Sequence, residues 1–138
     1  MNYLLDTNIC IHYFKGQFEL REKIEQIGFR RFAISEITLA ELIYGAEKSQ
    51  KKLQNIKVVE NFAEKINIIP IFDSLRIYGK EKARLKVKGS LISDLDLFIG
   101  ATAIVNDMIL VTRNVREFER MENIKIENWI DNQQFTST

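Results

Sequence analysis

One cysteine, Cys10, one histidine, His12, and one proline, Pro70, are all that this chain of 138 residues holds of those three types. A lone cysteine forms no intrachain disulfide, and one cysteine with one histidine cannot build a structural zinc site. Softer metals lose their usual ligands for the same reason. No reactive serine or cysteine pattern accompanies His12, so no nucleophilic triad is indicated and the histidine reads as packing. Charge of one sign is also missing: 20 Lys and Arg face 19 Asp and Glu, so any nucleic-acid surface must be a local patch. The first apolar run, Tyr3 to Leu5, is broken by Asp6 with no basic leader before it. Neither a secretory signal nor a membrane span is expected, and the simplest location is cytoplasmic.

The length suits a single domain, 1–138, able to bury a core without cross-links, with 130–138 as a polar C-terminal tail. Residues 2–5 read as a short buried strand, followed by helices over Thr7 to Phe14 and over 18–27, the second closed by Gly28. Arg31 to Ser35 reads as a strand, and Ser35 caps a helix from Glu36 to about Ser49. A further helix is expected over 51–66. Ile68 to Ile71 would be a strand near an edge, because Pro70 cannot donate to a central ladder. Asp73 to Lys88 is then helical and ends at Gly89. Ser93 opens a helix to about Asn106, which feeds a strand from Met108 to Thr112, and Lys125 to Asn128 adds a last edge strand. Strands separated by helices predict an α/β fold: a mostly parallel sheet of four to five short strands with helices on both faces.

In such a sheet ligands bind beyond the carboxyl ends of the strands. Asp6 ends the first strand, and Asn114 follows the run Ile109 to Thr112. Asp6 fits two roles, a cap for the next helix or a cation ligand. Glu41 has Ile37, Thr38, Tyr44 and Gly45 as helical neighbours, none of them basic, so a local ion pair does not explain it. Asp96 lies three residues after Ser93, the spacing of a capping box, and shares a face with Gly100 and Ala103. Those small residues would let the helix lie close to the sheet and aim the carboxylate at the strand ends. Asp94 faces elsewhere and reads as a first-turn residue that favours the helix dipole, with a supporting role open. Carboxylates gathered at one edge repel one another and retain protons unless a cation joins them.

MNYLLDTNICI, ITLAELIYGAEKS, ISDLDLFIGATAIVNDMILVTRNVREFERM and KIENW, in this order and spacing, resemble the VapC toxins, PIN-domain ribonucleases of bacterial toxin–antitoxin pairs. The resemblance spans nearly the whole chain. It implies that Asp6, Glu41 and Asp96 ligate Mg²⁺, with Mn²⁺ as a substitute, and that Asn114 occupies a fourth site position that is aspartate in many PIN domains. Asn8, Asp94 and Thr112 would support that site. An amide at Asn114 adds no negative charge, which favours one tightly held ion over two. Arg113 stands where related toxins often carry asparagine, and either places a cation beside the scissile phosphate or faces solvent. The implied reaction is hydrolysis of an RNA phosphodiester, with tRNA as a candidate substrate, neutralised by a VapB-like antitoxin in a protein that forms a homodimer.

Arg76, Lys80, Arg84 and Lys88 recur every four residues, a spacing that costs like charges a little unless a polyanion offsets it. The stripe reads either as an RNA contact or as a solvated face. Tyr13, Phe14, Phe18, Ile43 and Tyr44 give the early helices core packing with surface left over for an antitoxin or dimer contact. Phosphotransfer domains also place aspartate after the first strand. Receiver domains, however, need adjacent acids and a strand-end lysine, and aspartate-nucleophile phosphatases need a second aspartate where Asn8 stands. The competing reading is a non-catalytic module that binds RNA or antitoxin.

Overall fold

The computed structural model describes residues 2–131 and contains five strands and seven helices. In chain order these are β1 (Tyr3–Leu5), α1 (Thr7–Phe14), α2 (Leu20–Ile27), β2 (Phe32–Ser35), α3 (Glu36–Glu47), α4 (Lys52–Lys65) and β3 (Asn67–Ile69). They continue with α5 (Leu75–Lys88), α6 (Asp94–Val105), β4 (Ile109–Val111), α7 (Val115–Phe118) and β5 (Lys125–Glu127). The strands form one parallel sheet in the order β3-β2-β1-β4-β5. The expected α/β fold is therefore present, with the proline-flanked strand and the last strand at the two edges.

Side chains alternate across the strands, so each strand serves two cores. Leu5, Phe32, Ile34 and Val111 pack on one face with Ile9, Ile24, Leu42, Phe62 and Trp129. Leu4, Ala33 and Leu110 pack on the other with Leu85, Leu97, Ile99, Ala103 and Phe118. The chain runs from β1 outward to β3 and then returns to β4 on the opposite side of β1. The carboxyl ends of β1 and β4, at that reversal, are the usual ligand position in open α/β sheets.

Helix starts follow the expected caps: Ser35 Oγ accepts from the Thr38 amide at 3.1 Å and Ser93 Oγ from the Asp96 amide at 3.2 Å. Some boundaries move for local reasons. Phe18 and Glu19 have φ of 58° and 56°, which delays α2 to Leu20. Pro70 lies outside its strand, so β3 ends at Ile69, and a 3-10 turn, Phe72–Ser74, precedes α5. Gly100 does not face the sheet as expected. A Cβ there would collide with the Met121 thioether, and Ile124 stands beside it, so α6 is fitted against the segment joining α7 to β5. Gly100→Ala should lower stability by about 1–3 kcal/mol, because Met121 is buried and must be displaced. Denaturant unfolding of the variant checks this.

The tail expected from residue 130 starts later. Ile130 is buried in the core with Trp129, and Asp131 pairs with Arg113; residues 132–138 lie outside the described residues. Among the described residues no helix is long and apolar enough to cross a membrane.

Candidate active site

Asp6 follows β1 directly, and its amide donates to Val111 O at 3.0 Å, which ties it to the end of β4. The side chain is buried, and both carboxylate oxygens are held. Oδ1 accepts from the Thr7 amide at 2.8 Å and Oδ2 from Thr112 Oγ1 at 2.7 Å. Thr112 Oγ1 in turn accepts from the Asn114 amide at 3.0 Å. Burial pushes the Asp6 carboxyl above its ordinary range, the Thr112 and Thr7 donors pull it back, and the charge of Glu41 raises it again. Capping and site placement thus coexist at Asp6.

Glu41 reaches toward the same point from α3. Its Oε1 accepts from Thr7 Oγ1 at 2.6 Å, and Thr38 Oγ1 stands 3.1 Å from that hydroxyl. Thr7 therefore joins Asp6 through its amide and Glu41 through its hydroxyl. Asp96 comes from the first turn of α6, half-buried. Its carboxyl is pushed up to about 6, first by burial and then by Asp6; Ser93 opposes, while Glu41 and Glu117 add repulsion. Asp6, just after β1, and Glu41 of α3 thus share Thr7, and the Asp96 carboxyl at the start of α6 feels the charge of both.

All the donors here are oxygens, and their mutual repulsion favours a cation. Among the described residues, no three acidic, His or Cys side chains stand close enough to enclose an ion by themselves. The arrangement fits a hard ion that keeps several waters and takes only a few carboxylates, the habit of Mg²⁺.

The other candidates divide. Asn114 and Thr112 join the Asp6 edge, whereas Asn8 is exposed on the first turn of α1. Asp94 is drawn away from the site, accepting from Tyr78 Oη at 3.1 Å and pairing with Lys82 at 2.9 Å. Arg113 is held by both oxygens of Asp131, at 3.1 and 3.0 Å. Arg76, Lys80 and Lys88 are exposed, but Arg84 leaves the stripe. Its guanidinium grips Glu81 at 2.9 and 2.7 Å and donates to Arg120 O at 2.7 Å. Glu81, one turn earlier on α5, is the buried partner that claims it.

Thr7 and Thr38, which join the Asp6–Glu41 hydrogen bonds, and Glu117, whose charge bears on Asp96, were not foreseen. Two hydroxyls beside known acids, one residue after Asp6 and one turn before Glu41, were the available signal. Glu117 lies one turn after Asn114, but α7 was not anticipated, so its side had no assigned direction. A groove of about 370 Å³ adjoins Glu41, lined by Ile11, Phe14, Leu42, Val58 and Val59 among others.

The chain matches the PIN domain family over residues 3–124. It is 39% identical over 132 residues to Ribonuclease VapC2 of Haemophilus influenzae, covering 94% of this chain and 99% of that protein. It is likewise 39% identical over 131 residues to the tRNA(fMet)-specific endonuclease VapC of Salmonella typhimurium, covering 94% and 98%. The toxin chain of Rickettsia felis VapBC2, solved on a promoter DNA fragment, superposes with a TM-score of 0.87 at 38% identity, covering 94% and 99%. Fold, strand-end acids and full-length similarity agree, and the chain belongs to the PIN domain family as a VapC-type member.

Proposed function

We propose that this chain is a metal-dependent endoribonuclease toxin that hydrolyses RNA phosphodiester bonds and is neutralised by a VapB-like antitoxin. The observation that carries this reading is the chain of hydrogen bonds that joins Asp6 to Thr112 at the end of β4 and, through Thr7, to Glu41 of α3, with Asp96 within reach of both charges. In the proposal these three hold Mg²⁺, for which Mn²⁺ substitutes. The bound ion would polarise the phosphate and acidify a water. Asp6 is immobilised by Thr7 and Thr112, which fixes its position as the anchor. Glu41, fixed through one oxygen by Thr7, keeps the other for orienting the attacking water or taking its proton. Asn114 and Glu117 complete the edge from the β4 side.

The substrate class is tRNA, supported by the relative whose name specifies tRNA(fMet). Arg76, Lys80 and Lys88 remain as exposed cations for its phosphates. An apolar antitoxin segment suits the groove beside Glu41, which continues into a hollow of about 260 Å³ that shares Phe14 and Val58. An occupant there would also crowd Glu41. A homodimer and a cytoplasmic location complete the proposal; the exposed Phe72, Leu75, Leu91 and Leu95 offer apolar surface for pairing.

Incubating the purified protein with total RNA, with and without Mg²⁺, and sequencing the RNA ends tests the reading. Discrete Mg²⁺-dependent cuts in tRNA are expected. Binding without any cut would instead support the non-catalytic module.

A further inference from the structure

The connection between α1 and α2 places two successive non-glycine residues, Phe18 and Glu19, in the left-handed region, at φ of 58° and 56°. Side chains with a Cβ are disfavoured there, and such strain persists only where surrounding contacts impose it. The contacts are present. His12 Nδ1 lies 2.6 Å from Gln17 Oε1, and the Gln17 amide donates to His12 O at 3.0 Å. Arg21 donates to Tyr13 O at 3.1 Å and Phe14 O at 2.8 Å. This bracing does not bury the Phe18 ring, which is 39% exposed.

The ring instead stands beside the strand ends. Arg113, next after the Thr112 that holds Asp6, has its guanidinium carbon 5.8 Å from the Phe18 centroid. His12 supports the ring edge-on at 4.9 Å. Asp131 takes the guanidinium fork with two bonds, so Arg113 is poorly placed to clamp a phosphate and its plane is held still. A fixed aromatic ring and a fixed guanidinium plane are the two surfaces on which unpaired RNA bases stack.

We propose that Phe18 and Arg113 form a stacking platform for an unpaired nucleobase near the scissile phosphate. This rests on the ribonuclease reading and adds to it the element that grips a base rather than the backbone.

The test is fluorescence anisotropy in EDTA with two labelled probes of about ten nucleotides. One is oligoadenylate and the other the same ribose-phosphate backbone without bases. Wild type should bind the first more tightly. Phe18→Ala should weaken that binding about tenfold and leave the abasic probe unaffected. Phe18→Trp should retain it. Phe18→Gly, which accepts the positive φ and so keeps the loop backbone, should lose it as alanine does. Arg113→Lys keeps the charge without the plane, and should weaken oligoadenylate binding with an unchanged salt slope. Wild-type affinity in Phe18→Ala and Phe18→Gly, or equal losses on both probes, would overturn the platform. If wild type cuts RNA while those variants bind normally, the platform alone fails; if wild type neither binds nor cuts RNA, the ribonuclease reading fails with it.

Discussion

Asp96→Asn should lower RNA cleavage by more than about a hundredfold, beyond what losing an outer-sphere partner of a metal costs, and at the same time stabilise the metal-free protein near neutral pH. Both effects come from one charge. Asp96 sits half-buried under repulsion from Asp6, Glu41 and Glu117, so its ionised form is disfavoured in the folded chain. Removing that charge relieves the folded state and deprives the proposed ion of a ligand. The pH dependence follows. The carboxyl titrates at about 6 when folded against an ordinary value of 3.8. Between those values the folded state binds more protons at Asp96 than the unfolded state, so this carboxyl's contribution to metal-free stability rises as the pH falls from 6 toward 3.8. Above 6 both states are ionised and the full penalty remains. Asp96→Asn should flatten this slope in thermal melts, and a variant as pH-dependent as wild type would contradict the assignment.

Arg84→Met should be among the most damaging single changes to the fold outside the apolar cores. Glu81 is 3% exposed and receives two bonds from Arg84 and one from the Glu122 amide at 2.8 Å. Arg84 also holds Arg120 O, and Arg120 donates to Leu91 O at 3.1 Å. The pair thus fastens the segment after α7 to α5 and the start of α6. Leaving Glu81 buried with one partner should cost about 2 kcal/mol, or roughly 8 °C in thermal midpoint for a chain of this size. The Arg84 hydrogen bond is the main reason that the Glu81 carboxyl lies below its ordinary value of 4.5. A depressed carboxyl contributes stability above that value, which is lost as the pH falls through the folded value. The Glu81 contribution should therefore be lost below 4.5 in wild type, and Arg84→Met, lacking most of it, should show a smaller acid-side loss relative to wild type. Cleavage should fall too, because Glu117 lies on α7, which the loosened segment follows directly.

The parallel sheet was legible because short apolar runs each end in a polar residue that also starts a helix. Asp6 and Ser35 show this, and their caps formed as expected, as did that of Ser93 at the start of α6. Glu41 was legible from the basic residues its neighbours lack. The segment from Asn114 to Met121 was not, since α7 is a four-residue helix with no periodicity to detect. Arg84 misled because a regular cationic spacing hides a buried acid between its members. Phe18 was left between packing and partner surface; its left-handed backbone was invisible in the residue type, and the ring is 39% exposed. Ile130 showed the reverse, a lone apolar residue at the edge of a polar stretch that the Trp129 cluster captures.

The central claim is that Asp6, Glu41 and Asp96 share one cation. Thermal melts at near-neutral pH across a Mg²⁺ titration, on wild type and Asp96→Asn, test it most directly. A saturable rise in the wild-type midpoint that is absent or strongly weakened in Asp96→Asn is predicted. A wild-type midpoint indifferent to Mg²⁺, or an equal rise in both proteins, would contradict it.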